Sequence, residues 1–256
     1  RVEVYDNAGN VEESTINVIT EEPTIEEVLD ISDNQKIYVK IPNPKDEENP
    51  ILCYVLYNDE TNGLQIISVN SVETVTLGYG DPTVEGTDYF TKSMNSYNKV
   101  IETLNEKAEE YNYYGSEYVE ARCVGSNPSN PSAEAGMHIT QFSSSYSEKL
   151  RDTDENYSSD YDQMTGLGIA GLPTSNYYWL ASRYVNSNSD GSEFVVRFVN
   201  ASGTIFVNLS LCTVSSSGRA DAFSYARGFR PVFTLKSGIK ITGGDGTSGS
   251  PYTLGI

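Results

Sequence analysis

Three cysteines, one histidine, an acidic run and a glycine string are the places where this chain could carry out chemistry. Cys53, Cys123 and Cys212 are far apart and odd in number, with no CxxC spacing and no histidine nearby. Zinc needs clustered ligands and a disulfide framework needs paired thiols, so the three read as isolated, mostly buried thiols, with a Cys53–Cys123 bridge left open. His138 has no evident partner in sequence and reads as structural. Asp152, Asp154, Asn156 and Asp160 have the spacing of the early ligands of a calcium loop. Tyr157, however, stands where the sharp-turn glycine belongs, and Gln163 where the bidentate glutamate belongs, so the run reads as a solvated acidic loop. Gly166-Leu167-Gly168-Ile169-Ala170-Gly171 is a literal GxGxxG, but no strand precedes it and Pro173 cuts off any following helix. A dinucleotide would find no helix N-terminus there. These residues assign no catalytic set, no metal and no cofactor, and the chain reads as one that binds rather than catalyses.

Composition points to where it would bind. The stretch Tyr177 to Leu235 holds the single tryptophan, Trp179, and several closely spaced strand-like runs. Thr204 to Cys212 alternates Ile205, Val207, Leu209 and Leu211 with Phe206, Asn208, Ser210 and Cys212, which predicts one strand with a buried and an exposed face. Burying the four aliphatic side chains stabilises the register by roughly 1.5–3 kcal/mol each. The outward face is then Phe206, Asn208 and Ser210, with Cys212 on the same exposed parity. Tyr177 to Val185 reads as a further strand, and Ser192 to Asn200 and Gly228 to Leu235 as central strands buried on both faces. Between Leu211 and Gly228 lies a segment of low hydrophobicity, a spacer or a binding loop, with Phe223 and Tyr225 set among Ser, Ala and Gly.

The elements upstream position this stretch. Arg1 to Thr20 reads as a hairpin, with Val2 and Val4 alternating, a turn at Asp6–Asn10 and a second strand at Ser14 to Thr20. Glu21 to Pro50 is an acidic, proline-punctuated linker entering a first strand at Lys36 to Ile41. Ile51 to Tyr57 and Leu64 to Val69 flank an Asn62-Gly63 turn, which predicts a second hairpin. Met94, Tyr97, Val100, Ile101, Leu104, Ala108 and Tyr111 recur at steps of three and four, which predicts an amphipathic helix. A shorter helix is expected over Tyr157 to Gly168.

Charge narrows the partners. The 256-residue chain carries a net charge of −19. From Asn176 onward seven Lys or Arg face four Asp or Glu, a balance of +3, which leaves −22 on the first 175 residues. Phosphate binding needs clustered cations, so nucleic acid and an anionic membrane are excluded as partners of the acidic part. No apolar run reaches bilayer-spanning length, so membrane insertion is not expected.

The strings LNEKAEEY, ARCVGS, YWLASR, FVVRFV and RGFRPVFTLKSGI resemble the C-type lectin fold in its bacterial and phage form. That form includes formylglycine-generating-enzyme-like domains and the variable proteins of diversity-generating retroelements. The resemblance covers about Ile51 to Ile241 and implies an α+β fold with two helices packed on a small twisted antiparallel sheet. Residues 1–20 resemble the closing hairpin of a bacterial immunoglobulin-like repeat, which implies that the chain is a C-terminal fragment. The implied organisation is a truncated repeat at 1–20, linker and first strand at 21–50, and a ligand-binding domain at 51–256 whose variable stretch is about 176–228.

What the resemblance implies for function is an adhesin or receptor-binding module on a bacterial or phage surface, outside the cell, meeting a protein or glycan on another surface. Asn176 to Phe233 carries eleven aromatics, ten serines and five asparagines, a composition close to that of antibody paratopes. The candidate ligand-binding residues are Tyr184, Asn186, Asn188, Asp190, Phe206, Asn208, Ser210, Phe223 and Tyr225. Phe206, Phe223 and Tyr225 would anchor the ligand, and the Asn, Asp and Ser side chains would hydrogen-bond it. The Glu-Pro-Asn and Trp-Asn-Asp sugar-binding tripeptides of calcium-dependent lectins are absent. Two other readings stand beside this one: a structural cap on a stalk of repeats, and a formylglycine-generating-type enzyme using Cys212.

Overall fold

The computed structural model describes residues 2–5, 11–14, 22–28, 36–59, 63–112, 119–123, 177–188, 190–201, 203, 205–206, 209–235 and 237–255. In chain order the elements are β1 (Val2–Tyr5), β2 (Val11–Ser14), α1 (Ile25–Val28), β3 (Tyr38–Ile41), β4 (Ile51–Asp59), β5 (Gly63–Ser68), β6 (Glu73–Gly78), α2 (Tyr89–Glu109), β7 (Val119–Cys123), β8 (Tyr178–Asn188) and β9 (Gly191–Val199). They continue with β10 (Ile205–Phe206), β11 (Ser210–Ser215), β12 (Ala220–Ala222), β13 (Ser224–Phe229), β14 (Pro231–Leu235), β15 (Lys240–Gly243) and β16 (Tyr252–Gly255).

The long helix forms where the apolar period predicts it. Met94, Tyr97, Val100, Leu104 and Ala108 are all buried, and Tyr111 is buried just past the end. Asp88 caps the start, its carboxylate accepting from the Thr91 N–H at 2.9 Å. At the other end Lys107 pairs with Glu110 at 2.8 Å, and the Lys45 ammonium lies 4.1 Å from the Tyr111 ring centroid.

This helix lies against a seven-stranded sheet ordered β12–β11–β9–β8–β13–β6, with β10 also paired to β9. Trp179, Ala181, Arg183 and Val185 form one face of β8, and the residues opposite them on β9 include Phe198, Val196 and Phe194. All seven are buried. Arg183 reaches out of the sheet and donates to the main-chain carbonyls of Tyr97 (2.6 Å) and Asn98 (2.8 Å) on α2. Its guanidinium sits 4.8 Å from the Tyr97 ring, which meets Phe194 edge-on at 5.2 Å.

The sheet curls around the helix. Its two ends in strand order are joined by a single residue, Phe223, which links β12 at one edge to β13 beside the other. The Phe223 N–H donates to Leu211 O on β11 (2.9 Å), while its carbonyl accepts from Tyr79 N (3.2 Å) and from the Ser93 hydroxyl on α2 (3.0 Å). Accordingly α2 touches β6, β8, β9, β11 and β12.

The second sheet also has seven strands, ordered β15–β16–β3–β4–β5–β14–β7. Its β4/β5 hairpin turns through Gly63, whose φ of +89° explains the Asn-Gly signal. Tyr178 and Leu180, on the other parity of β8, pack with Tyr54 and Leu56 of β4, Ile67 of β5 and Val232 of β14. The start of β8 is therefore covered on both sides, and the two sheets pack together there. The first strand is found at β3, pairing antiparallel with β4.

Several expectations are corrected. The two-helix, small antiparallel lectin-type sheet is overturned: among the described residues, one long helix and the four-residue α1 accompany two large sheets, each of which includes a parallel pair, β13 with β8 and β16 with β3. The shorter helix expected at 157–168 lies outside the described residues. The run Gly228 to Leu235, read as one strand, is two: β13 belongs to the first sheet and β14 to the second. The reason lies at the junction, where Arg230 alone separates the two strands and Pro231 opens the second. Pro231 has no N–H to give a ladder, and Arg230, 3 % exposed, is turned inward to donate from Nε to Ser68 O at 2.9 Å. At the N-terminus β1 and β2 do pair antiparallel, but the second strand comes at Val11–Ser14, earlier than expected.

Replacing Arg183 by Met removes two charged hydrogen bonds that pin α2 to the sheet, and is expected to lower Tm by roughly 5–10 °C in calorimetry. Gly78→Ala is expected to destabilise as well, because φ is +94° and the added Cβ would lie 2.0 Å from Phe223 O. Arg219→Ala, which removes a salt bridge to Asp221 from a 75 % exposed side chain, should shift Tm by no more than about 2 °C.

Candidate binding surface

The described thiols cannot serve as nucleophiles. Cys53 and Cys212 are both free and fully buried, which rules out the Cys53–Cys123 bridge. Burial pushes the Cys53 thiol well above its ordinary value, with Arg230 offsetting part of the rise, and pushes Cys212 up to about 12. The expected exposure of Cys212 fails for a local reason. The pairing of β11 with β9 shifts register between Ser210 and Cys212, so Leu211 and Cys212 are consecutive and both buried. Within the expected Thr204–Cys212 strand the described residues form β10 (Ile205–Phe206) and the start of β11 (Ser210–Ser215).

The predicted contact residues do not form one patch. Tyr184, Asn186 and Asn188 occupy β8 opposite Val195, Glu193 and Gly191, and Asp190 is exposed at the turn into β9. Around that turn Asp190, Ser192, Glu193, Thr213 and Ser215 help line a shallow depression of about 350 Å³. Phe206 is opposite Phe198, near the other end of the hairpin, and Ser210 is opposite Val195 and half-buried. At about 3.3 Å per residue, the eight steps of β9 from Gly191 to Val199, which pair with Asn188 and Tyr178, separate those ends by roughly 26 Å. Asn208, His138, Asp152–Asp160 and the GxGxxG string lie outside the described residues.

Phe223 and Tyr225 belong to a different assembly. The segment expected to be a spacer or loop is built into β11, β12 and β13, and both rings are half-buried, stacked with centroids 6.3 Å apart and planes 16° from parallel. From this pair a row of rings extends both ways. On one side the main chain of Phe223 holds Tyr79, whose ring meets that of Tyr89 at 4.9 Å. On the other, the Arg227 guanidinium lies 5.6 Å from the Tyr225 ring, 5.2 Å from Tyr177 and 5.3 Å from Phe198. Burial raises the Tyr225 phenol above its usual value; Arg227 opposes that rise and nearby Tyr79 adds to it.

The row rests on rigid supports. The Gly78 N–H donates to the Ser96 hydroxyl on α2 (2.8 Å), and that hydroxyl donates to Asp81 (2.7 Å). Asp81 is 1 % exposed and also accepts from the Thr83 N–H and hydroxyl. The turn carrying Tyr79 is thereby fastened to the first turns of the helix carrying Tyr89.

Of the residues in this row, Phe223 and Tyr225 are among the contact residues expected from the sequence, and Tyr79, Tyr89, Tyr177 and Arg227 are not. A signal for two of them existed. Tyr79 is a bulky ring between two glycines in a turn, and Tyr89 opens α2 off its apolar stripe. Comparison with family models, curated proteins and solved structures finds no match for this chain.

In a Cys123→Ser background, neither remaining thiol is expected to react with a disulfide-exchange reagent at pH 8 in the native protein, and both should react after unfolding. Rapid native labelling of Cys212 would refute its burial.

Proposed function

We propose that this chain is a non-enzymatic binding module, displayed outside a bacterial cell or on a phage, whose recognition surface is the row of rings from Tyr89 to Tyr177. One observation carries the reading. The exposed large hydrophobic side chains among the described residues are Tyr79 (38 %), Tyr89 (70 %) and Tyr177 (46 %), and all three lie on this one row. Exposed aromatic surface that the fold has not buried marks a contact site when it is contiguous. Tyrosine suits such a site because its ring offers large, rigid area at low cost in rotamer entropy while its hydroxyl stays hydrogen-bonded to water or ligand. Burial of both described thiols further supports binding over nucleophilic catalysis. A purely structural cap would have no use for an outward aromatic row.

The test is adsorption of fluorescently labelled protein to intact bacterial and mammalian cells, followed by flow cytometry. The triple variant Tyr79→Ala, Tyr89→Ala, Tyr177→Ala is expected to lose about tenfold or more of the wild-type adsorption, in line with truncation of aromatic anchors, while keeping its Tm within about 3 °C. Equal adsorption of both proteins would sink the reading.

A further inference from the structure

We propose that the ligand of this surface is an acidic oligosaccharide, whose sugar faces lie on the tyrosines and whose carboxylate is taken by Arg227. The inference rests on the binding-module reading above and specifies its ligand. Three observations lead to it.

The first is the state of Arg227. Among the described cations, Arg219 pairs with Asp221, Lys107 with Glu110, and Lys45 with Glu73 and Glu110. Arg227 is half-buried among three rings, and no carboxylate pairs with it. Its Nη1 donates to the carbonyl of Ala226 (2.8 Å), and its Nε is buried without a hydrogen-bond partner. A guanidinium held flat by aromatic faces with no carboxylate beside it keeps its charge, and its Nη2 donors remain for a charge-assisted bond to a ligand carboxylate. A single such cation suits one carboxylate and not a polyphosphate, whose binding requires several clustered cations.

The second is the form of the row. At about 3.4 Å per residue, Phe223 to Arg227 spans roughly 13 Å of strand, and the Tyr79–Tyr89 pair lengthens it further. The negative face of an aromatic ring attracts the polarised C–H groups of a pyranose face, and the tyrosine hydroxyls can meet sugar hydroxyls at the rim. Several rings in line call for a chain of sugars rather than one.

The third is what the neighbouring strand denies to a peptide. An extended peptide would bind by adding a strand to β6, which ends the sheet. Two backbone groups of that strand are already used, the Val75 carbonyl by Trp179 Nε1 (2.9 Å) and the Gly78 N–H by Ser96. The exposed large side chains of the row are tyrosines, with no aliphatic groove to take an amphipathic helix.

The test is an array of neutral, carboxylated and sulfated oligosaccharides, followed by calorimetric titration of the best carboxylated hit and of its methyl ester. The tetramer of α-1,4-linked galacturonic acid serves as the starting probe. Carboxylated glycans should dominate the array, and esterification or Arg227→Gln should weaken binding about tenfold or more, the loss of a charge-assisted pair. Affinity should also fall as salt rises from 50 to 300 mM, and Tyr79→Ala with Tyr89→Ala should abolish binding. The methyl ester needs no variant, so the proposal stays testable if Arg227→Gln misfolds. Equal binding of neutral glycans, or a preference for sulfated ones, overturns the carboxylate assignment and leaves the binding module standing. Cell adsorption that needs the tyrosines but no glycan of any class overturns the inference in favour of a protein ligand. Glycan binding unchanged in both the tyrosine and the Arg227 variants overturns the surface itself.

Discussion

A guanidinium sealed inside the protein at the point where the chain changes sheets is the constraint on which the architecture depends. Arg230 separates β13 from β14, donates to Ser68 O in the second sheet and lies 4.8 Å from the Tyr178 ring in the first. Removing a cation from water is costly, and burial lowers the Arg230 pKa, an effect that the nearby Tyr178 and Tyr54 hydroxyls offset. An arginine is the cation best suited to this position, because its delocalised charge is weakly hydrated and stacks on aromatic faces. Its neighbour Tyr54 is pushed up to about 12, by burial first and then by its bond to Tyr38, with Arg230 pulling the other way. The phenol therefore stays neutral at physiological pH, and the tyrosines around Arg230 act as dipoles and ring faces rather than as counter-ions.

The switch at Arg230 decides what β13 can do. Because the chain leaves the first sheet there, β13 is short and pairs chiefly with β6, which places Tyr225 and Arg227 opposite Leu77 and Val75. At its other end Phe223 closes the curl of the sheet around α2. The helix is thus held by geometry as well as by the apolar stripe it buries, and Arg183 ties it to β8 through two of its carbonyls.

This arrangement presents the aromatic row on β13, on the first residue of α2 and on the short connections at Tyr79, Tyr177 and Phe223 that hydrogen bonds fasten to the strands. Rings so mounted lose little freedom when a ligand arrives, since their backbones are already ordered by Asp81, Ser96 and Phe223. The same rigidity separates the two ends of the β8–β9 hairpin. Residues that sequence composition grouped as one paratope are thereby divided between the Asp190 turn and the row near Tyr177.

The sequence by itself determined the features whose causes are local. The period of Met94, Tyr97, Val100, Leu104 and Ala108 specifies a helix, because a single face must be apolar for it to pack. Asn62-Gly63 specifies a turn, because glycine accepts the positive φ found there. Phe194, Val195, Val196, Phe198 and Val199 specify a strand buried on both faces, because both parities carry large apolar side chains. Tertiary structure alone decided the rest. Gly228 to Leu235 reads the same whether it enters one sheet or two, since the partners that divide it, Ser68 and Tyr178, are distant in sequence. The register shift before Cys212 is set by pairing with β9, which turned an exposed-parity thiol into a buried one. The exposure of Tyr79, Tyr89 and Tyr177 depends on what packs beside them, and a ring's burial is a property of its neighbours in space, which no run of residues around it records.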